Sequence, residues 1–240
     1  MLHTTRGIVL KTIGYTDSSV IAKIYTELFG LQSFLVNAAH SKRSSTKAGL
    51  LQPLSLVECV VYKKEKKQLQ RIKEIRSEFP FTSIHSDISK SSIVLFLNEI
   101  LYKTIREEER NEGLFEFIHS SIQVLDLRTE SVANFHLYFL VQLSRYLGFF
   151  PSGNHSAELK YFDLQDGIFR LHLPAHPLCL DETLSLKLHE LMNSSYVTIA
   201  GLNINPAQRK ELLEKLITYF ELHLDTITGV NSHKVLEEIL

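Results

Sequence analysis

Residues 19–38 read SVIAKIYTELFGLQSFLVNA. Over Ser19–Thr26 the side chains alternate, so that Ala22 and Ile24 fall on one side of an extended chain and Lys23 on the other. Residues 27–30, ELFG, are short and suit a tight connection. The β-branched and aromatic residues on both sides of this connection favour strands. The stretch therefore predicts two neighbouring antiparallel strands.

Three further runs have the composition of strands. The five predicted strands are Thr5–Ile13, Ser19–Thr26, Leu31–Ala38, Leu50–Tyr62 and Leu69–Phe79. Five short antiparallel strands in so few residues predict a small closed barrel, because closure removes exposed strand edges. The five-stranded oligonucleotide-binding (OB) barrel is the leading candidate. In the fifth strand, strict alternation places Leu69, Arg71, Lys73 and Ile75 on one face.

After residue 86 the spacing of apolar residues becomes helical. Predicted helices cover Asp87–Glu109, Gly113–Leu127, Ser131–Leu147, Asp181–Asn193, Pro206 to about Leu224, and a final short helix capped by Asn231 or Ser232. Asn205 followed by Pro206 is a typical helix start. Residues 165–167, QDG, lie between two short apolar runs and predict a hairpin. The fold class is thus α+β: an OB-type domain over 1–80, then a helical domain over 81–240 with a hairpin insertion around 152–180.

Charge is divided unevenly along the chain. The net charge of the 240 residues is −1, but residues 1–79 carry +7 and residues 80–240 carry −8. Such a division is typical of a basic binding module joined to an acidic body. A nucleic-acid partner is therefore compatible with the nearly neutral total.

The strongest candidate binding segment is residues 38–53, AAHSKRSSTKAGLLQP. Lys42, Arg43 and Lys47 lie there without an acidic residue among them, and a cationic loop between strands can grip a phosphate backbone. A solvated surface loop is the alternative. Arg71 and Lys73 are secondary candidates for DNA contact, for which a solvated strand face is the alternative. The lysines at 63, 64, 66 and 67 favour a solvated turn.

Aromatic side chains in the barrel segment could stack on bases. Those available are Tyr15, Tyr25, Phe29, Phe34 and Tyr62. At strand spacing most aromatic residues belong to a core, so we expect one or two at most to serve as stacking platforms.

Motifs for catalysis or cofactor binding are not found in the sequence. It contains no glycine-rich phosphate loop, nucleophile elbow or His-Glu-x-x-His motif. Glu107, Glu108 and Glu109 are consecutive, so on a helix they would diverge. We expect no enzyme activity and no cofactor. The sequence also has no apolar run of transmembrane length and no signal-peptide pattern at residues 1–11, so we expect a cytoplasmic protein.

Several segments, in this order and spacing, resemble the bacterial DNA repair family RecO. They are Arg6–Lys11 with Thr16–Ser19, Tyr25–Glu27 with Phe29-Gly30, Ser41–Arg43 leading to Leu51–Leu54, and Tyr146–Pro151. The resemblance extends over essentially the whole chain. It implies a recombination mediator that binds single- and double-stranded DNA and anneals strands. It also implies binding to SSB and RecR, and help in loading the RecA recombinase onto SSB-covered strands, so that the protein would be nucleoid-associated when bound to DNA.

Many members of that family carry two Cys-x-x-Cys pairs around the hairpin, where they bind zinc. This chain has His155 and Glu158 before the hairpin and His176 and Cys179 after it. Structural zinc sites prefer thiolates, and three of the four are missing. We therefore expect no metal, and packing of aromatic residues in its place.

The acidic, apolar tail of SSB would require a groove between helices with basic residues beside it. Arg145 and Lys160 are candidates for that charge. Two other interpretations stay open. The barrel could recruit proteins as a non-enzymatic adaptor without binding DNA strongly, or the chain could be a hydrolase with an unrecognised site.

Overall fold

The computed structural model describes residues 1–17, 19–37, 49–63 and 67–240. In these residues the strands are β1 (Leu2–Thr16), β2 (Ser19–Thr26), β3 (Gly30–Asn37), β4 (Leu56–Tyr62), β5 (Leu69–Phe79), β6 (Tyr161–Asp163), β7 (Ile168–Arg170) and β8 (Cys179–Leu180). The α-helices are α1 (Ile88–Thr104), α2 (Glu112–Leu127), α3 (Phe135–Tyr146), α4 (Glu182–Met192), α5 (Pro206–His223) and α6 (His233–Ile239), with a 3₁₀ helix at Ile199–Gly201. The predicted α+β class is confirmed.

Strands β1–β5 form a closed barrel in the order β1-β2-β3-β5-β4, and β4 pairs with β1 to complete the circle. The expectation that all pairings are antiparallel is wrong for one of them, because β3 and β5 pair in parallel. Four antiparallel pairings force this result: β3 and β5 each run in the same direction as β1. A five-stranded barrel of this kind fits the predicted OB fold.

Alternating side chains fill the barrel. Its buried core consists of Val9, Ala22, Ile24, Phe34, Val36, Val57, Cys59 and Val61. The predicted alternation in β2 is confirmed, since Ala22 and Ile24 are buried in this core while Lys23 is only half-buried. Burial raises the pKa of the Cys59 thiol to about 12, so this cysteine is an inert core residue.

A β-bulge in β5 changes the predicted faces of that strand. Val60 pairs with Glu74 and Val61 with Ile72, so Lys73 is the extra residue of the bulge. Strict alternation across Lys73 is therefore wrong. Ile72 and Ile75 both pack against the barrel core, whereas Arg71 and Lys73 are exposed.

The described chain divides into two compact units. The first contains residues 1–86 and 98–126, and the second contains residues 87–97 and 127–240. Helix α1 contributes residues to both. The domain boundary expected at residue 80 stays a prediction.

In the first unit, the segment after α1 contacts the start of β3. The sequence predicts a helix as far as Glu109, but α1 ends at Thr104. The Leu31 N–H donates to the Glu107 carbonyl oxygen over 2.9 Å. Glu107 thus lies beyond the end of α1, and its carbonyl oxygen bonds to the barrel.

Asp126 joins the end of α2 to the chain that leaves the barrel. Its carboxylate is buried and accepts hydrogen bonds of 2.9–3.1 Å from the backbone N–H groups of Thr82, Ser83 and Ile84. Burial alone would raise the pKa of Asp126, but these bonds outweigh it and hold that pKa below its usual value. The ionised carboxylate therefore stabilises the first unit.

The second unit is helical with one small sheet. Strands β6 and β7 form the predicted hairpin, and β8 adds a third strand on the other side of β6. The start of α5 is confirmed, because Asn205 is the N-cap, Pro206 is the first helical residue, and Asn205 and Gln208 form a capping box. Aromatic packing supports the insertion, with the rings of Phe162 and Phe169 5.0 Å apart.

Among the helices that the structure describes, none has the length and apolar character needed to cross a membrane.

Replacing Gly30 with alanine should destabilise the first unit. Gly30 has φ of +61°, and a Cβ there would lie 2.6 Å from the Glu107 carbonyl oxygen. Left-handed strain and this collision together should lower the free energy of unfolding by more than about 2 kcal/mol. Urea unfolding measures the change. Gly14→Ala is the control, because nothing lies within 4 Å of that Cβ. Equal stability of the two variants would contradict the described contact.

Replacing Asp126 with asparagine should cost about 2–4 kcal/mol at pH 7, since an amide replaces a charged acceptor of several hydrogen bonds. The pKa of Asp126 is lowered by folding. Its contribution is therefore complete above the unfolded pKa of about 3.9 and is lost as pH falls through the native pKa. Unfolding free energies measured from pH 7 to pH 2 should thus converge for the two proteins. A constant difference across that range would contradict this role of the carboxylate.

Candidate nucleic-acid interface

The cations of the first unit fall into two groups. In the first group each cation lies within 4.0 Å of a carboxylate: Arg6 with Glu27 and Glu116, Lys73 with Glu74, Arg76 with Glu58, Lys103 with Glu99 and Arg110 with Glu112. The second group has no carboxylate that close among the described residues: Lys11, Lys23, Lys63, Lys67, Arg71 and Arg106. Cations of the second group have charge available for an external anion.

Arg6 is an example of the first group, because carboxylates of the same unit neutralise its charge. Its guanidinium donates to Glu27 over 2.9 Å and to Glu116, and it lies 5.2 Å from the centroid of the Phe115 ring. The hydrogen bond from Arg6 lowers the pKa of Glu27. Arg6 thus links β1, the turn after β2 and helix α2, and its charge is neutralised within the unit.

Tyr62, Lys67 and Arg71 meet at the connection from β4 to β5. With Leu69 and Gln70 they line a pocket of about 500 Å³, which we call the β4–β5 pocket. Tyr62 and Arg71 are directly opposed in the β4–β5 register, and Tyr62 is 42% exposed. The pocket therefore presents two cations beside an accessible aromatic ring.

Backbone pairing within the barrel fixes the residues that line the β4–β5 pocket. Arg71 is paired on one side with Tyr62 of β4 and on the other with Leu35 of β3. The buried side-chain amide of Gln70 donates to the Lys67 carbonyl oxygen, which fixes the backbone just before β5. Because OB barrels bind oligonucleotides partly through the loop between strands 4 and 5, this pocket lies at a suitable position.

The structure places the two described candidates for DNA contact in different pockets. Arg71 lines the β4–β5 pocket, but Lys73 lines a different one, of about 570 Å³, together with Glu58 and Arg76. Lys73 also lies 3.6 Å from Glu74. Its surroundings are therefore of mixed charge, unlike those of Arg71. The assignment of both residues to DNA contact stays a prediction.

Lys42, Arg43 and Lys47 lie outside the described residues. The structure does describe the chain on either side of them. Asn37 pairs with Ser19 in the β2–β3 register, and the Thr12 hydroxyl donates to the Leu51 carbonyl oxygen over 3.0 Å. The predicted basic segment thus begins and ends on the barrel, and its role in binding stays a prediction.

Of the two described lysines at the β4–β5 connection, Lys67 is exposed, as predicted for a solvated turn, and Lys63 is half-buried. The Lys63 ammonium donates to the Gln32 side-chain oxygen over 2.6 Å and lies 5.3 Å from the centroid of the Phe29 ring. Lys67 lines the β4–β5 pocket. Lys64 and Lys66 lie outside the described residues. No sequence pattern distinguishes Lys67 from the other lysines of this charged turn.

The aromatic residues sort as expected for a barrel. Tyr25 and Phe34 are buried, and Phe29 is half-buried. Tyr15 and Tyr62 are exposed by 58% and 42%. Of these two, Tyr62 lies beside cations in a pocket, so it is the stronger candidate for stacking on a base.

The residues around the hairpin do not fit a zinc ion. His176 Nε2 lies 3.5 Å from an Asp163 carboxylate oxygen, and the Cys179 thiol points to the His176 carbonyl oxygen at 3.5 Å. The His155 ring instead lies 6.3 Å from that of His189, between centroids. In the part of the chain that the structure describes, no three His, Cys, Asp or Glu residues are grouped as metal ligands.

Arg145 and Lys160, the predicted basic residues of the second unit, each contact a neighbouring side chain, and their role beside an SSB tail stays a prediction. Arg145 lies 3.7 Å from the centroid of the Phe150 ring, and Lys160 pairs with Glu182 at 3.1 Å. A separate, mainly apolar pocket of about 230 Å³ lies between α3, α5 and α6, and Arg209 and Lys210 contribute to its lining. Glu237 also lines this pocket and pairs with Lys210 at 3.0 Å, so Arg209 is the lining cation without a side-chain carboxylate partner among the described residues.

Comparison with known proteins provides evidence that is independent of the structure. Two family models cover nearly the whole chain: Recombination protein O N terminal matches residues 1–81, and Recombination protein O C terminal matches residues 85–228. The DNA repair protein RecO of Bacteroides fragilis is 40% identical over 240 residues, which is 100% of this chain and 99% of that protein. The RecO proteins of Flavobacterium johnsoniae and Porphyromonas gingivalis are 37% and 30% identical over 98% and 93% of each chain.

Proposed function

The chain belongs to the RecO family of DNA repair proteins, and on that premise we propose that it is a DNA-binding recombination mediator. It binds single and double strands, anneals complementary strands and assists loading of the RecA recombinase onto SSB-covered single strands. The observation that carries the proposal is the β4–β5 pocket, where Lys67 and Arg71 lie beside Tyr62 without a carboxylate partner among the described residues.

The chemistry of such a pocket suits DNA of any sequence. Cations neutralise backbone phosphates and release condensed counterions, which provides affinity without reading bases. An accessible aromatic ring adds stacking, which every base allows. A mediator must act wherever damage occurs, so binding that ignores sequence is what its task requires.

We propose that the predicted basic segment completes this interface. Lys42, Arg43 and Lys47 would supply further phosphate contacts, and the chain on both sides of them is anchored on the barrel at Asn37 and Leu51. The concentration of positive charge in residues 1–79 supports this assignment. Strand annealing breaks no covalent bond, so the function needs neither a catalytic group nor a cofactor.

SSB and RecR are the proposed protein partners, with RecA reached indirectly. For the acidic, apolar tail of SSB we propose the pocket between α3, α5 and α6, because its lining is mainly apolar and includes Arg209. The proposed location is the cytoplasm, in association with the nucleoid when DNA is bound.

Replacing Lys67 and Arg71 together with glutamine tests the pocket. Fluorescence anisotropy with a labelled dT oligonucleotide, repeated at several salt concentrations, measures affinity and its salt slope. The double variant should lose about tenfold in affinity and reduce the slope by about 1 to 1.5, as expected for two lost phosphate contacts. Arg76→Gln is the matched control, because Arg76 lies on the same strand but pairs with Glu58 at 2.6 Å. Equal losses in both variants would remove the pocket from the interface.

Charge reversal at Lys42 and Arg43 tests the predicted segment in the same assay. Two glutamates there should weaken binding at least as much as loss of the pocket cations, because repulsion of phosphate replaces attraction. An unchanged affinity would exclude these residues. If the wild-type protein itself binds weakly at every salt concentration, the alternative of a non-enzymatic adaptor replaces the mediator.

A further inference from the structure

Lys11, Lys23 and Tyr102 form a second cationic cluster on the barrel unit. Lys11 and Lys23 are directly opposed in the β1–β2 register. Their ammonium nitrogens lie 4.6 Å and 5.3 Å from the centroid of the Tyr102 ring, which helix α1 contributes. Lys11 is exposed, and Lys23 and Tyr102 are half-buried. Two ammonium groups are thus held at the surface around one phenol.

No carboxylate among the described residues balances the positive charge of this cluster at close range. Like charges directly opposite each other on neighbouring strands destabilise a sheet. No carboxylate in the described part of the chain lies within 4.0 Å of either ammonium group. The ring face of Tyr102 attracts both cations but carries no full negative charge. An external anion would therefore relieve the repulsion.

The Tyr102 phenol responds to both lysines. Burial raises its pKa, but the hydrogen bond and charge of Lys23, together with those of Lys11, outweigh burial and hold the pKa of Tyr102 below its usual value. The cation–π contacts place both ammonium groups beside the same ring. An oxyanion placed there would meet three donors in one small area.

Anchoring of α1 to the barrel does not explain both lysines. A single ammonium group over the ring would already make the cation–π contact. Elsewhere in the same unit, Arg6 fixes a helix to the barrel through two carboxylates that neutralise it. The Lys11–Lys23 pair lacks such neutralisation, which points to a ligand.

The cluster is separate from the β4–β5 pocket. Tyr62 of the pocket pairs with Leu2, at the start of β1. Lys11 lies nine residues farther along β1, beyond the register shift that follows Val9. Its neighbour Thr12 bonds to Leu51, which lies near the end of the predicted basic segment, residues 38–53.

We propose that Lys11, Lys23 and Tyr102 form a second phosphate-binding site, which holds the sugar–phosphate backbone of DNA at a distance from the β4–β5 pocket. The two ammonium groups and the phenol donate hydrogen bonds to the phosphate oxygens. The identification of the phosphate as DNA rests on the proposed function. Two separated phosphate sites let one barrel hold a longer stretch of DNA than either site alone.

Lysine acetylation, read by mass spectrometry on the unmodified full chain, tests the site without a variant. A dT oligonucleotide should slow acetylation of Lys11 and Lys23 severalfold. Lys103, the next residue after Tyr102, pairs with Glu99 at 3.3 Å and should be unaffected. Pyrophosphate at matched ionic strength is the second probe. Protection by pyrophosphate without protection by the oligonucleotide would keep a phosphate site but overturn its assignment to DNA. Protection by neither would overturn the site.

Lys11→Gln with Lys23→Gln gives the matching affinity test. The double variant should bind the oligonucleotide about tenfold more weakly with a salt slope smaller by about 1 to 1.5, whereas Lys103→Gln should match the wild type. Different results would contradict the second phosphate site and the proposed mediator function. If the wild type shows salt-dependent binding and this variant retains both affinity and slope, only the second site is wrong. If the wild type shows no such binding, the mediator itself is wrong.

Discussion

The parallel pairing of β3 with β5 closes the barrel, and the position of the candidate interface depends on it. Antiparallel neighbours along the rest of the circle leave β3 and β5 running in the same direction. Their pairing brings Leu35 against Arg71, which β4 fixes from the other side through Tyr62. A cation on an unpaired edge strand would not be held in this way. Closure thus converts an ordinary surface arginine into part of a defined pocket.

Nearby carboxylates determine which of the described cations have charge available for an external anion. Arg6, Arg76 and Lys103 lie close to acidic side chains, which neutralise their charge. Exposed ion pairs of this kind contribute little to stability, but they do remove charge from the surface field. Lys67 and Arg71 keep their charge. The net charge of a segment therefore says less about binding than the pairing of each cation.

The barrel itself could be predicted from the sequence because its strands alternate clearly. Ala22 and Ile24 enter the core as the alternation of β2 predicts. The bulge at Lys73 could not be foreseen, since its signal is a pairing with β4 and not a local residue type. The early end of α1 could not be foreseen either, and beyond it the Glu107 carbonyl oxygen bonds to Leu31, distant in sequence.

The candidate sites were predictable only in part. Residue type identified Arg71 as a possible contact, but its grouping with Tyr62 and Lys67 needs the register of β4 and β5. Lys23 lies on the side of β2 that the alternation predicts, but Lys11 follows four consecutive buried residues and a register shift in β1. Tyr102 reaches both lysines from a helix far along the chain. Contacts between distant segments carry no periodic signal.

If the barrel holds DNA, then DNA should protect the barrel from amide hydrogen exchange. Exchange is followed by mass spectrometry with and without a dT oligonucleotide. We expect slower exchange in peptides from β1 and from the β4–β5 connection, with residues 127–240 unchanged. Protection confined to residues 127–240 would contradict it.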